Sequence, residues 1–287
     1  MSSSVKERIV VERVLVTGGT GKTGRLVAQQ LAESGVQPRI ASRRPAGANQ
    51  IRFDWSEPET FEAALEGTQG VYLVAPTDRT DHLSAMLPFL ELAIGRVPGR
   101  LVLLSASSLE MGGPLMGEVH AWLHDHASRW SALRPSWFMQ NFVTERLPSI
   151  LHDQEITSAT GDGRVPFIDA WDIAAVAVAA LTRPDIASRE HVLTGPEAFS
   201  YDDVAAQISD VVGCPIRHRK LSLSELTQLY VGIGLPVDYA PMLAGMDEAI
   251  ARGSENRVTN EVAQITGRPP RSLQSFLEAH RGIFRGE

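Results

Sequence analysis

An α/β fold, with a doubly wound parallel sheet and a smaller, mainly helical carboxy-terminal lobe, is what this 287-residue chain predicts. Three observations carry that reading. A short apolar run near the amino end leads straight into a turn punctuated by glycines. Apolar strand-like runs then alternate with amphipathic stretches up to about residue 145, the pattern of a parallel sheet with right-handed crossovers. After Pro135 the alternation gives way to helix-rich sequence.

The first strand, expected at 13–17, carries Val14-Leu-Val16, a continuous apolar run as a strand covered on both faces must have. It runs into glycines at 18, 21 and 24. Gly18 allows the tight turn, Gly21 lets the backbone close on a diphosphate, and Gly24 lets the next helix pack tightly on the sheet. That helix, roughly 22–34, carries Leu26, Val27 and Leu31 on one side and stops at Gly35. Its free amides and dipole then face the phosphates. Glycine-rich turns also serve structure alone; the strand–turn–helix setting makes this one a Rossmann-type dinucleotide loop.

Further strands are expected at 38–42, 51–54, 70–75, 101–105 and 131–134, with helices at 57–66, 81–95 and 116–128. Ser56-Glu-Pro-Glu59 has the form of a capping box. Later come a turn at Gly161-Asp-Gly163, an alanine-rich helix from Phe167 to about Thr182, a strand at 191–194 and a helix at 201–212. The stretch 221–253 reads as two helical pieces broken between Gly232 and Pro236, opened by a second capping box at Ser222-Leu-Ser-Glu225. A last helix is expected around 272–280, after the turn at Gly267-Arg-Pro-Pro270. The division is thus an NAD(P)-binding Rossmann domain over 1–150 and a substrate-binding lobe over 151–287, packed on it, with one or two strands returning to the main sheet.

A formal charge of -7 argues against a nucleic acid held through its phosphates. The one basic run, Arg217-His-Arg-Lys220, is either a solvated edge strand or an anion site. Cys214 is the only cysteine, so no intramolecular disulfide and no cysteine metal cluster is expected. No apolar run approaches the ~18 residues of a membrane helix, and Met-Ser-Ser-Ser-Val-Lys-Glu-Arg has no signal-peptide core. The expectation is a cytoplasmic monomer or homodimer acting on a small molecule, without membrane, nucleic acid or metal.

The carboxyl ends of the strands carry the chemistry. The second ends Ser42-Arg43-Arg44, with no acid for a ribose 2′-hydroxyl. A hydroxyl and two guanidiniums suit a 2′-phosphate, which favours NADP(H) over NAD(H); a pair of solvated arginines is the other reading. Asp54 closes the third strand, either beside the adenine amino group or as a helix-leading acid. The fourth ends Val74-Ala75-Pro76-Thr77, small enough for a ribose to lie against the backbone. Ser105, ending the fifth, is either a site hydroxyl at the ligand crevice or a strand-end cap.

Taken together, these residues resemble the NmrA-like branch of the atypical short-chain dehydrogenase/reductases, from about Val14 to Phe284. Thr17-Gly-Gly-Thr-Gly-Lys-Thr-Gly24, Leu103-Leu-Ser-Ala-Ser107, Leu133-Arg-Pro-Ser-Trp-Phe-Met-Gln-Asn-Phe142 and Phe167-Ile-Asp-Ala-Trp-Asp-Ile-Ala174 carry the resemblance. Within it, Phe53-Asp-Trp55, Gly112-Gly-Pro-Leu-Met-Gly117, Ala159-Thr-Gly-Asp-Gly163 and Thr266-Gly-Arg-Pro-Pro270 are similar to the festuclavine/agroclavine dehydrogenases of ergot alkaloid biosynthesis. The resemblance implies Gly18, Thr20, Gly21, Lys22, Thr23 and Gly24 at a diphosphate, Ser42 and Arg43 at a 2′-phosphate, Asp54 and Trp55 at the adenine, and Ala75 and Pro76 along the ribose.

One departure stands out. Typical members protonate an alkoxide with a Tyr-x-x-x-Lys pair, yet neither tyrosine nor lysine lies between Ser105 and Arg129. Hydride addition to an iminium ion makes no oxyanion, and a hydroquinone anion is a weaker base than an alkoxide, so the gap favours iminium, activated C=C or quinone acceptors. His120 and His124 share a helix face and are either substrate-facing proton donors or partly exposed helix residues; His-x-x-x-His without an adjacent glutamate is no metalloprotease motif. Trp137, Phe138, Met139 and Asn141 wall a pocket for a flat apolar or cationic substrate, or else pack the core. Asp169 and Asp172 read as helix caps. The alternative function is a dinucleotide-sensing regulator without turnover; a sugar-nucleotide epimerase, which needs the missing pair, is more remote.

Overall fold

Continuous burial of short apolar runs builds the centre of the sheet. Val14–Val16, Val71–Leu73, Leu101–Leu103 and Trp130–Pro135 are buried on both faces, as parallel strands between two helix layers must be. The computed structural model describes residues 11–284; the amino-terminal segment read above for a leader lies outside them. In chain order the elements are β1 (Arg13–Val16), α1 (Gly24–Glu33), β2 (Gln37–Ser42), β3 (Gln50–Arg52), α2 (Phe61–Leu65), β4 (Gly70–Leu73), α3 (His82–Arg96), β5 (Leu101–Leu104), α4 (Met116–His126) and β6 (Trp130–Pro135). Then follow α5 (Leu147–His152), β7 (Glu155–Ser158), β8 (Arg164–Val165), α6 (Ala170–Thr182), β9 (Glu190–Leu193), β10 (Phe199–Ser200), α7 (Tyr201–Val212), β11 (Arg217–Lys220), α8 (Leu223–Gly232), α9 (Tyr239–Ala251), α10 (Glu261–Thr266), α11 (Leu273–Ala279) and α12 (Arg281–Phe284).

The chain divides into two compact units, interleaved in sequence: residues 1–135, 170–192 and 264–267, and residues 136–169, 193–263 and 268–287. The sequence places its boundary at 150/151, with strands returning. In the structure the cut follows β6, and α6 returns to the sheet together with β9. The first unit holds the seven-stranded sheet, ordered β3-β2-β1-β4-β5-β6-β9. β1 pairs parallel with β2 and β4, β2 with β3, β4 with β5, and β5 with β6. Successive strand side chains alternate faces. Leu15, Val71, Leu73, Leu101 and Leu103 join Met86, Phe89 and Leu90 of α3 and Val119 and Leu123 of α4 in one core. On the opposite face α6 packs against α1 and against β4, β5 and β6. The Rossmann-type doubly wound fold expected from the sequence is therefore the one observed.

In the second unit, α7, α11 and α12 gather around Phe142, Phe167, Tyr201 and Phe276. β11 pairs parallel with β7, and β10 antiparallel with β8. The basic run 217–220 is an edge strand. Its lysine is matched locally, Lys220 Nζ lying 2.6 Å from Asp162 and 2.9 Å from Asp202.

The helix after the glycine loop ends as expected at Gly35 (φ +81°), whose amide and that of Val36 bond back to Ala32 and Leu31. The capping box at Ser222 is present, with Ser222 Oγ accepting from the Glu225 amide and Glu225 reaching back. The one at Ser56 is not. Ser56 gives its amide and hydroxyl to Asp54 Oδ1 at 3.0 and 2.7 Å, and the turn over Pro58–Thr60 starts without a side-chain cap. A carboxylate two residues upstream outcompetes a cap three residues downstream.

Candidate dinucleotide site

The site grows out of the end of β1. Thr17 ties β1 to β4: its amide and hydroxyl both donate to Tyr72 O at 3.0 Å, and its Oγ1 accepts from the Val74 amide at 2.7 Å. The chain then reverses at Gly18 (φ +59°), a conformation that L side chains rarely hold, and an added Cβ there would stand 2.9 Å from Val74 Cβ. Gly24 is closed off more tightly, because its Cβ would lie 2.3 Å from Gly18 O. The helix start thus sits directly on the loop. Thr20 and Gly21 are exposed, Lys22 is half-buried and Thr23 is buried. Thr23 is the N-cap of α1 but makes no capping bond; its Oγ1 instead accepts from the Tyr72 hydroxyl at 3.1 Å. No acid occupies the first turn of α1, so the positive end of the helix dipole is uncancelled.

Beside this loop, β2 ends at Ser42, whose Oγ accepts from the Arg44 amide at 3.2 Å. Arg43 and Arg44 are exposed, and neither guanidinium makes an ion pair or hydrogen bond among the described residues. Asp54 is half-buried and held below the usual carboxylate range, first by the Ser56 hydroxyl and amide and less by the charge of Arg43. Trp55 is fixed by an aromatic cluster, with ring centroids 4.8 Å from Phe53 and 5.4 Å from Phe89. Ala75 and Pro76, after β4, are half-buried.

Past β5 the picture changes. Ser105 donates its amide to Leu133 O at 2.7 Å, and its Oγ is buried without a partner among the described residues. The loop that follows is clamped by Arg134, which the sequence reading passed over. This buried side chain donates to Ala106 O (3.3 Å) and Ser107 O (2.8 Å), and pairs with Glu110 (3.0 Å) and Glu190 (2.7 Å). An arginine inside an otherwise apolar strand was the available signal, since a buried guanidinium must find acceptors. Tyr72, midway along β4, was a second such signal.

His120 is turned into the protein. It is 1% exposed on the inner face of α4 with Gly117 and Leu123, its ring 5.3 Å from Trp130, and burial lowers its pKa. Helical periodicity turns position 120 towards the sheet, which the two-histidine spacing alone did not reveal. His124 is exposed, with Nδ1 2.8 Å from Asp125 Oδ1.

In the second unit, Trp137, Phe138 and Asn141 are half-buried. Phe138 is bridged to Ile168: the Ile168 amide donates to Trp137 O and the Met139 amide to Ile168 O, both at 2.9 Å. Met139 is 1% exposed within the core around Phe142, so its side chain packs that core instead of walling a pocket. Asp169 accepts from Gln140 Nε2 (2.7 Å) and Arg271 (3.3 Å). Ser136, unremarked in the sequence, buries an Oγ that has no partner among the described residues.

A strand, a glycine turn and a bare helix end therefore meet where main-chain amides can gather an anion. The family model described as NAD(P)H-binding matches residues 18–184. The chain belongs to this NAD(P)H-binding family. It is 42% identical over 275 residues to the uncharacterized oxidoreductase YesF of Bacillus subtilis (strain 168), covering 94% of this chain and 96% of that protein. It is 38% identical to the agroclavine dehydrogenase of Claviceps fusiformis, covering 94% and 98%, so the similarity to clavine dehydrogenases read from the motifs holds along nearly the whole chain. Among solved structures, the NADPH-dependent quinone oxidoreductase QOR2 of Escherichia coli, complexed with NADPH, shares the fold with a TM-score of 0.80. The match covers 93% and 99% of the two chains at 20% identity. The chain is an NAD(P)H-dependent oxidoreductase. No helix among the described residues is long and apolar enough to cross a membrane.

Proposed function

We propose that this protein uses NADPH to reduce a small planar acceptor of secondary-metabolite type: an iminium ion, an activated C=C bond or a quinone. The observation that carries the reading is the β5–α4 side of the first unit. Its buried hydroxyl, Ser105 Oγ, has no partner among the described residues, and no tyrosine or lysine lies between Ser105 and Arg129. The only imidazole on the inner face of α4 is buried and biased towards its neutral form. Such a site orients an acceptor and donates one hydrogen bond, and it lacks a strong acid for an alkoxide. The 38% identity to a protein named agroclavine dehydrogenase supports alkaloid-like acceptors.

For the cofactor, the residues present fit a doubly phosphorylated nucleotide. The loop that Gly18 and Gly24 allow to pack so closely, with the exposed Thr20 and Gly21 and with Lys22 and Thr23, would hold the diphosphate. Arg43, beside Ser42 and unpaired among the described residues, would take the 2′-phosphate through a fork of donors. Asp54 and Trp55 would flank the adenine, and Ala75 and Pro76 the ribose. When bound, NADPH supplies a hydride from its nicotinamide ring. Ser105 would give the acceptor its one hydrogen bond.

The test is a panel of iminium salts, enals, quinones and simple ketones mixed with protein and NADPH, followed at the nicotinamide absorbance band. Oxidation is expected with at least one of the first three classes and not with the ketones. Tight NADPH binding with no turnover anywhere in the panel would replace this reading with a dinucleotide-sensing one.

A further inference from the structure

Tyr72 has no place in the glycine motif, yet it is the side chain that closes the loop from beneath. It sits in the middle of β4 with no exposed surface. Its carbonyl accepts from both the amide and the hydroxyl of Thr17, at the point where β1 turns into the loop. Its hydroxyl crosses to α1 and donates to Thr23 Oγ1 at 3.1 Å. We infer that Tyr72 is a positioning residue for dinucleotide binding: by filling one lone pair of Thr23 Oγ1 from inside the protein, it points the Thr23 hydroxyl proton outward to a diphosphate oxygen. This rests on the cofactor reading above.

The argument is one of hydrogen-bond inventory. A threonine hydroxyl owns one proton and two lone pairs. As N-cap, Thr23 would ordinarily accept from an amide of its own first turn, but here that bond is absent. The lone pair is used by Tyr72 instead, and no described residue accepts Thr23's own proton. Thr23 Oγ1 thus arrives at the amide end of α1 as a donor in waiting, at the terminus where dipole and main-chain amides favour an anion. Tyr72 serves as a constant donor, because burial pushes its phenol well above the usual range and keeps the proton in place. Phenylalanine would fill the same space and lose only the instruction.

Binding measured by titration calorimetry, with two ligands, tests this. NADP+ contains the diphosphate, whereas 2′-AMP keeps the adenosine and 2′-phosphate and lacks it. Tyr72→Phe is expected to weaken NADP+ about fivefold, the scale of one net hydrogen bond, and to leave 2′-AMP within about twofold. Thr23→Val should give a similar loss, Thr23→Ser should restore affinity, and the Tyr72→Phe/Thr23→Val pair should lose no more than the worse single variant. Equal weakening of both ligands by Tyr72→Phe, or additive losses in the double variant, would overturn the inference and leave Tyr72 a structural prop. An unchanged NADP+ affinity in folded Tyr72→Phe would overturn it as well. Failure of the unsubstituted protein to bind NADP+ or 2′-AMP would instead bring down the cofactor reading and the inference with it.

Discussion

The β1–α1 end of the sheet edge and the β5–α4 end are built from similar parts and are finished differently. At β1–α1 the side chains beneath the loop are tied to one another. Thr17 is spent on β4, Tyr72 on Thr23, and the glycines pack until no Cβ would fit at Gly18 or Gly24. At β5–α4 the framework is equally firm, because Arg134 pins the carbonyls of Ala106 and Ser107. The polar atoms that the framework presents are nevertheless left over: Ser105 Oγ and both ring nitrogens of His120. On the function proposed above, the difference would separate recognition from reaction. A nucleotide's phosphates are met by backbone that only a fixed geometry can provide, while an acceptor that generates no strong base needs little more than a place to lie.

The sharpest way to break the comparison is to spoil the fixed end. Gly24→Ala places a Cβ 2.3 Å from a backbone oxygen that cannot swing aside. We expect a loss of about 3 kcal/mol in unfolding free energy, read from the urea midpoint at constant m-value, together with loss of measurable NADPH binding. A tolerated Gly24→Ala would mean that the loop is softer than its packing indicates. Next in size is Arg43→Ala. Removing a charge-assisted fork should weaken NADPH roughly 10- to 100-fold and leave NADH within about twofold, both measured by fluorescence titration. Equal weakening of the two nucleotides would take Arg43 away from the 2′-phosphate.

Legibility in the sequence followed the same divide. The glycine loop could be read because Gly18 and Gly24 answer backbone requirements that no other residue meets, seen in the φ at Gly18 and the crowding at Gly24. The strands could be read because Val14–Val16 and Leu101–Leu103 are uninterrupted apolar runs. What escaped was what depends on partners distant in sequence. Arg134 and Glu190 are 56 positions apart, and Tyr72 and Thr23 are 49 apart; no local pattern announces either pair. Residue Met139 fits a pocket wall or a core equally well as a residue type, and only the packing around Phe142 decides for the core. The split of the second unit across 136–169 and 193–263 was hidden for the same reason, since a returning helix such as α6 reads like any other apolar helix.

The smallest expected effect concerns His120, and it sharpens the contrast at the unfinished end. Burial between α4 and Trp130 lowers its pKa, partly opposed by the charge of Glu190 and assisted by Arg134 and His124. Below the unfolded histidine value of about 6.5, the unfolded chain takes up a proton here that the folded chain refuses. This residue therefore makes stability fall as pH drops through that value, and its influence vanishes above it. Buried His82 and half-buried His218 are shifted in the same direction by desolvation and add to the trend. In His120→Leu the loss of stability between about pH 7.5 and pH 5.5 should shrink by about 1 kcal/mol, with NADPH affinity unchanged at the higher pH. If the acid slope stays as steep while turnover with the best acceptor collapses at both pH values, His120 reaches the reacting atoms after all, and the β5–α4 end is equipped with the acid that its burial argues against.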